Sequence, residues 1–150
     1  KQFSRIMSLK DGIKKMSKSD PSDLSRVNLT DDKDEILNKI KKAKTDPLPL
    51  PEEAKDLAKR PEAENLLRIY SSLKNQNLEI SVSEFSGKNF SEFKQKLAEA
   101  LTEKIEPISM EIKKLLDDEK YLDTILLEGS DKADKIASKK IKEIKELVGF

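Results

Sequence analysis

Lys15 and Lys18 enclose Met16 and Ser17, and Ser19 follows them, giving the run Lys-Met-Ser-Lys-Ser. Two ammonium groups and two hydroxyls so close in sequence can surround a polyphosphate. The cations offset its charge, while hydroxyl and backbone donors take its oxygens. Gly12 stands before the run and Asp20-Pro21 after it, so helix and strand are discouraged on both sides and a mobile loop is expected. On residue types alone, a phosphate clamp and a solvated loop are equally compatible with this stretch.

The elements that must hold such a loop can be read from breakers and periodicity. Residues 3 to 9, Phe-Ser-Arg-Ile-Met-Ser-Leu, are expected to form a short strand entering the lysine loop, and Val27 to Thr30 offers a second extended piece. Thr30-Asp31-Asp32 supplies an N-cap for a helix carrying Ile36, Leu37, Ile40 and Ala43, which Asp46-Pro47 ends. Residues 46 to 61 form a connector with prolines at 47, 49, 51 and 61, in which only Glu52 to Lys59 can be helical. Pro61 suits the first turn of a helix over Glu62 to Lys74, with Leu66, Leu67, Ile69, Tyr70 and Leu73 facing inward. A short helical turn from Ser81 or Ser83 stops at Gly87. The next stripe, Phe90, Phe93, Leu97, Ala100, Leu101 and Ile105, meets a kink or break at Pro107 before Ile108, Ile112, Leu115 and Leu116. Another helix starts at Asp117-Asp118 and closes at Gly129. Ser130 then caps a last helix with the stripe Ala133, Ile136, Ala137, Ile141, Ile144 and Leu147. With two tyrosines and five phenylalanines, an aliphatic core of Leu and Ile is expected.

Composition narrows the chemistry. The 150 residues hold one ordinary core, or a small domain plus part of another. Charged residues make up 39%, yet the net charge is +1, so any attraction to nucleic acid must come from local patches. Histidine and cysteine are absent, which excludes Cys/His zinc sites, disulfides, thiol nucleophiles and a histidine base; no metal site is expected. No apolar run approaches the roughly 20 residues that span a bilayer. The start, Lys1-Gln2-Phe3-Ser4, carries neither a signal peptide nor an initiator methionine.

The full string around the loop is more specific than its residue types. Arg5-Ile6-Met7-Ser8-Leu9, then Lys14 to Pro21, resembles the ATP-site motif of the class I aminoacyl-tRNA synthetases. Lys39 to Asp46, Asn65 to Tyr70, Phe90 to Leu101, Pro107-Ile108 and Gly129 to Ala133 follow in order. Together they make the chain similar to the tryptophanyl-tRNA synthetases of the bacterial and mitochondrial type. The resemblance implies a mainly α fold. Residues 1–30 would be the last strand and lysine loop of a Rossmann-like α/β catalytic domain, and residues 31–150 a helical, anticodon-binding bundle reached through the connector. It implies a ligase that activates L-tryptophan with ATP and its Mg2+ to tryptophanyl-adenylate and passes it to tRNA(Trp). Lys15 and Lys18 would be catalytic, with Ile6, Met16, Ser17 and Ser19 completing the ATP site. Because it opens in mid-domain, the resemblance also implies that the chain is the C-terminal portion of a longer protein, a cytoplasmic homodimer as the full-length enzyme, this portion being monomeric and inactive. The family's His-Ile-Gly-His-like motif has no counterpart here, and the connector departs from the commonest bacterial version in length and in Leu48-Pro49-Leu50-Pro51.

Three basic patches could meet RNA: Lys39, Lys41, Lys42 and Lys44; Lys88, Lys94 and Lys96; and Lys132, Lys135, Lys139 and Lys140. A solvated helix face is the commoner explanation of the first. The preferred contacts are Lys88, Lys132, Lys135 and Lys139, the last three beside a helix N-terminus expected at Ser130. Bases would need stacking or amide partners, for which Phe90, Asn89 and Tyr121 are available. Three other readings stand beside it: the tyrosine-specific relative, which the helical motifs after Asn65 disfavour; a non-catalytic helical module binding RNA or protein; and a charged scaffold bundle with no nucleotide site. An upstream His-Gly-His-type motif would separate enzyme from module.

Overall fold

The computed structural model describes residues 5–149. The chain is mainly helical and divides into two compact units, residues 1–110 and 111–150.

The first unit opens on an antiparallel hairpin of β1 (Met7–Ser8) and β2 (Asp11–Lys15), with Met7 opposite Lys15. Phe3 and Ser4 of the expected strand lie outside the described residues. The expectation of a single strand followed by a loop is corrected: Gly12, read as a breaker, lies within β2. A Cβ there would stand 2.5 Å from the Glu62 backbone nitrogen and the Pro61 carbonyl carbon, so only glycine lets this strand lie against the next layer. The second extended piece is also corrected, because Asp23–Ser25 forms a 3-10 turn and Val27 to Thr30 joins no sheet.

Helix α1 (Lys33–Lys42) starts at Asp32, whose carboxylate accepts from the Glu35 backbone while the Glu35 carboxylate takes the Asp32 N–H. Ile36, Ile40 and Ala43 are buried, as their spacing requires, and Leu37 is left at the surface. The connector closes on itself through Arg60, which grips Asp46 at 2.9 and 2.6 Å and donates to the Leu48 and Pro49 carbonyls. Its helical part is a 3-10 turn over Ala54–Lys59 that buries Leu57. Helix α2 (Pro61–Lys74) begins with its proline and ends at Asn75 in the left-handed conformation, φ 53°.

Helix α3 (Leu78–Phe85) starts three residues earlier than Ser81 suggested. Ser81 is buried inside it, its hydroxyl 2.6 Å from that of Ser71. The core is not purely aliphatic. Tyr70, Phe85 and Phe93 pack edge to face with centroids 4.8 to 6.0 Å apart, and this trio joins α2, α3 and α4 (Phe90–Asp117). Burial, aided by the neighbouring Glu84 carboxylate, pushes the Tyr70 phenol up to about 12. Helix α4 continues through Pro107, so of the kink or break expected there the break is absent. Proline forfeits the bond its N–H would make to the residue 103 carbonyl, and the turns on either side maintain the helix.

The second unit consists of the end of α4 and α5 (Glu119–Val148). The expected division at Gly129-Ser130 is absent: α5 runs through both residues, and its N-cap is Asp118, accepting from the Tyr121 N–H. None of its residues is buried; Ile136 and Leu147 are 71% and 85% exposed. Two helical segments totalling some forty residues are too few to enclose the apolar stripe of so long a helix.

Candidate functional site

The lysine run leaves the hairpin at Lys15, the last residue of β2. The Met16 N–H donates to the Ile6 carbonyl at 3.1 Å, so the stem persists one residue beyond the strand, and the Met16 side chain packs on the core. From there the chain turns back on itself: the Ser19 N–H meets the Ser17 hydroxyl at 3.2 Å, and the Asp20 N–H meets the Ser17 carbonyl at 3.4 Å. Lys15, Lys18 and Ser19 are exposed. Acid is diverted from the two lysines, since Lys14 takes the Asp20 carboxylate at 3.2 Å; among the described residues neither Lys15 nor Lys18 makes an ion pair. The backbone N–H of Ser22 and the Lys14 ammonium hold the Asp20 carboxyl below its usual range.

A groove of about 440 Å³ opens beside the loop, lined by Met16, Ser17, Lys18, Arg26, Val27 and Asn28 among others. The structure thus brings together Met16, Ser17 and Lys18 of the expected site. Ile6, Lys15 and Ser19 lie outside the groove lining, with Ile6 joined to Met16 through the backbone bond. An apolar wall from Met16 and Val27, a free ammonium and nearby hydroxyls can hold a flat heterocycle and an anionic chain side by side.

Several side chains that fix this site lie outside the lysine run. Asn65 of α2 accepts from the Met7 N–H and donates to the Met7 carbonyl, both at 2.9 Å, acting as one more strand pair on the outer edge of β1. Leu9 in the hairpin turn is held from both directions, its N–H on the Ser25 carbonyl and its carbonyl on the Lys44 N–H. Arg26 donates to the Asp20 and Ser22 carbonyls and to the Asn28 side chain. Lys39 reaches Asp23 at 2.6 Å and Asp31 at 2.7 Å. Burial would lower its ammonium pKa, but these two carboxylates outweigh burial and raise it. The register gave warning of Asn65 and Lys39, since both fall on the buried side of their helices; nothing in the sequence marks Arg26.

The basic patches are partly consumed by the fold. Lys39 is 3% exposed and Lys44 pairs with Glu62 at 2.7 Å, so of the first cluster Lys41 and Lys42 remain on the surface without acid partners among the described residues. Lys94 donates to the Lys41 and Ala43 carbonyls, capping the end of α1, and burial lowers its pKa. Lys88 pairs with Glu92 at 2.8 Å and lies over the Phe85 ring. Lys132, Lys135 and Lys139 are exposed on one face of α5. They sit mid-helix, so the helix N-terminus expected beside them is not there.

The family model described as tRNA synthetases class I (W and Y) matches residues 2–106. The tryptophan–tRNA ligase of Agrobacterium fabrum is 51% identical over 146 residues, covering 97% of this chain and 41% of that protein. Its counterpart in Rickettsia conorii is 49% identical, covering 97% and 44%. The crystal structure of tryptophanyl-tRNA synthetase from Mycoplasma pneumoniae matches 100% of this chain and 45% of its own, with a TM-score of 0.72 at 24% identity, a likeness of fold. The chain thus spans less than half the length of these curated relatives. The family model covers well over half of the residues, lysine loop included, and on that match the chain belongs to the class I tRNA synthetases (W and Y).

Proposed function

We propose that this chain is the C-terminal portion of a tryptophan–tRNA ligase, contributing the phosphate-gripping loop and part of the tRNA-binding surface. The reading is supported by relatives near 50% identity that carry that name, and above all by Lys18, exposed and unpaired among the described residues at the edge of a partly apolar groove. In activation, the tryptophan carboxylate attacks the α-phosphorus of ATP. A new P–O bond forms as the bond to the bridging oxygen breaks, and pyrophosphate leaves. The nucleophile is already an anion, so the site needs no general base; it needs cations and donors where charge accumulates. Lys15 and Lys18 meet that need, Ser17, Ser19 and loop amides donate to phosphate oxygens, and Met16 and Ile6 lie toward the adenine. Magnesium arrives with ATP as part of the substrate. A ribose hydroxyl of tRNA then displaces AMP from the adenylate.

In this reading residues 1–30 complete a catalytic domain whose remainder, with the tryptophan pocket, lies outside the chain. Residues 31–150 face tRNA(Trp), where Lys132, Lys135 and Lys139 stay open to phosphates and Lys88, already paired, contributes less. The full-length protein is a cytoplasmic homodimer, and this portion alone is inactive. No helix is long and apolar enough to cross a membrane among the described residues.

The test is Lys18→Ala in the full-length protein, assayed by tryptophan-dependent ATP–pyrophosphate exchange. Loss of one such donor should slow activation by about 100- to 1000-fold with tryptophan affinity nearly unchanged. A rate within about threefold of the parent would remove Lys18 from the chemistry.

A further inference from the structure

Lys39 stands on the apolar side of α1, between Ile36 and Ile40, where an ammonium survives only with partners. Asp31, itself 3% exposed, would neutralise it alone. The second carboxylate needs another explanation, because Asp23 is 57% exposed and belongs to the segment through which the lysine loop returns to the body. Its other oxygen, Oδ1, forms an ion pair with Arg26 Nη2 and accepts from Asn28 Nδ2, both at 3.0 Å. Arg26 Nη1 in turn donates to the carbonyl of Asp20 at 2.9 Å, and Asp20 directly follows Ser19. Three contacts therefore lead from a buried ammonium in a helix to the last joint of the loop, and Arg26 shares the groove with Lys18. The opposite joint is fixed by the hairpin, through the bond from Met16 to Ile6.

From this chain of contacts we infer that Lys39 is a positioning residue for the phosphate-gripping loop, acting through Asp23 and Arg26. The inference rests on the ligase reading above. Cations stabilise a developing charge best when they return to the same place in each cycle. A loop whose ends are fixed and whose middle is free can both open and return. Asp31 keeps Lys39 tolerable in the core, and Asp23 turns the same ammonium into a tether.

Asp23→Asn separates the two roles. It leaves the Lys39–Asp31 pair in place, and at an exposed position it should not prevent folding. An amide accepts at one end only, so its NH2 must confront either the ammonium or the guanidinium. In the full-length protein, Asp23→Asn should lower kcat for tryptophan-dependent exchange by about tenfold. KM for tryptophan should stay within about twofold, and Tm within about 2 °C. Trypsin should cut after Lys18 several-fold faster than in the parent. Asp23→Glu, which keeps the carboxylate, should restore most of the rate. Parental kcat and parental cleavage in Asp23→Asn would overturn the inference. So would a loss spread equally over Tm, KM for tryptophan and kcat, which marks a purely structural role. If the parent itself shows no exchange, the ligase reading fails, and the trypsin comparison then judges the tether by itself.

Discussion

Lys18 and Lys39 carry the same ammonium group, and their surroundings decide what each can do. Lys18 stands in water with no acid partner among the described residues, so its charge is available to a ligand. The charge of Lys39 is spent on two carboxylates. Ser25 offers a simpler case of burial. It is 1% exposed, and its hydroxyl has no hydrogen-bond partner in the structure, although its backbone carbonyl holds Leu9. A buried hydroxyl without a partner loses hydration and gains nothing, so Ser25→Ala should leave stability unchanged or raise it by up to about 1 kcal/mol. Urea denaturation of the two proteins decides this; a loss above about 1 kcal/mol would mean that the hydroxyl is satisfied. At this scale the sequence discloses the loop lysines, because their motif is local. It hides Arg26, and it marks Lys39 and Asn65 only as polar residues on the buried side of their helices, because their partners in the first thirty residues are met only on folding.

Among the elements, the hairpin depends most on its neighbour. Gly12 lies against the first turn of α2, and Asn65 from the next turn takes both backbone groups of Met7. Gly12→Ala must drive the hairpin and the start of α2 apart, since the obstacle is backbone rather than a movable side chain. The expected cost is about 1–3 kcal/mol, measurable as a lower denaturation midpoint, with faster trypsin cleavage at the lysine loop. An unchanged midpoint would mean that this contact is loose. The same glycine shows where a sequence stops being informative. Read locally, Gly12 is a breaker; its reason for being glycine lies roughly fifty residues away, at Pro61 and Glu62. Caps and prolines, whose effects are local, located the start of α1 and α2 correctly. Gly129-Ser130 looks equally like a helix end, yet α5 passes through it, because one glycine costs a long helix only about 1 kcal/mol.

Across the whole molecule, ion pairs fasten the loop's return segment and the connector to the helices, and that makes their seating pH-dependent. Asp23 is held below its usual value by Lys39, and Glu62 by Lys44. Burial opposes ionisation of Asp46, but Arg60 outweighs it and the net shift is again downward. A carboxyl with a depressed pKa stabilises the folded state fully above its unfolded value, here 3.8 for aspartate and 4.5 for glutamate, and loses that contribution as pH falls through the folded value. The lysines act at the other end. Lys39, despite burial, and Lys44, through Glu62, are raised above 10.5, so their contribution is complete below that pH and is lost only as pH climbs through the raised values. Stability should therefore be level across the neutral range and fall on the acid side below about pH 4.5. The loop should open early in that fall, because its tether from Lys39 depends on the Asp23 carboxylate. Denaturation midpoints taken from about pH 7 down to pH 3 should show the decline, and Asp23→Asn, having one depressed carboxyl fewer, should decline less steeply. If parent and variant fall in parallel, Asp23 contributes nothing to the acid response, and the tether carries no weight in holding the loop's return segment to α1.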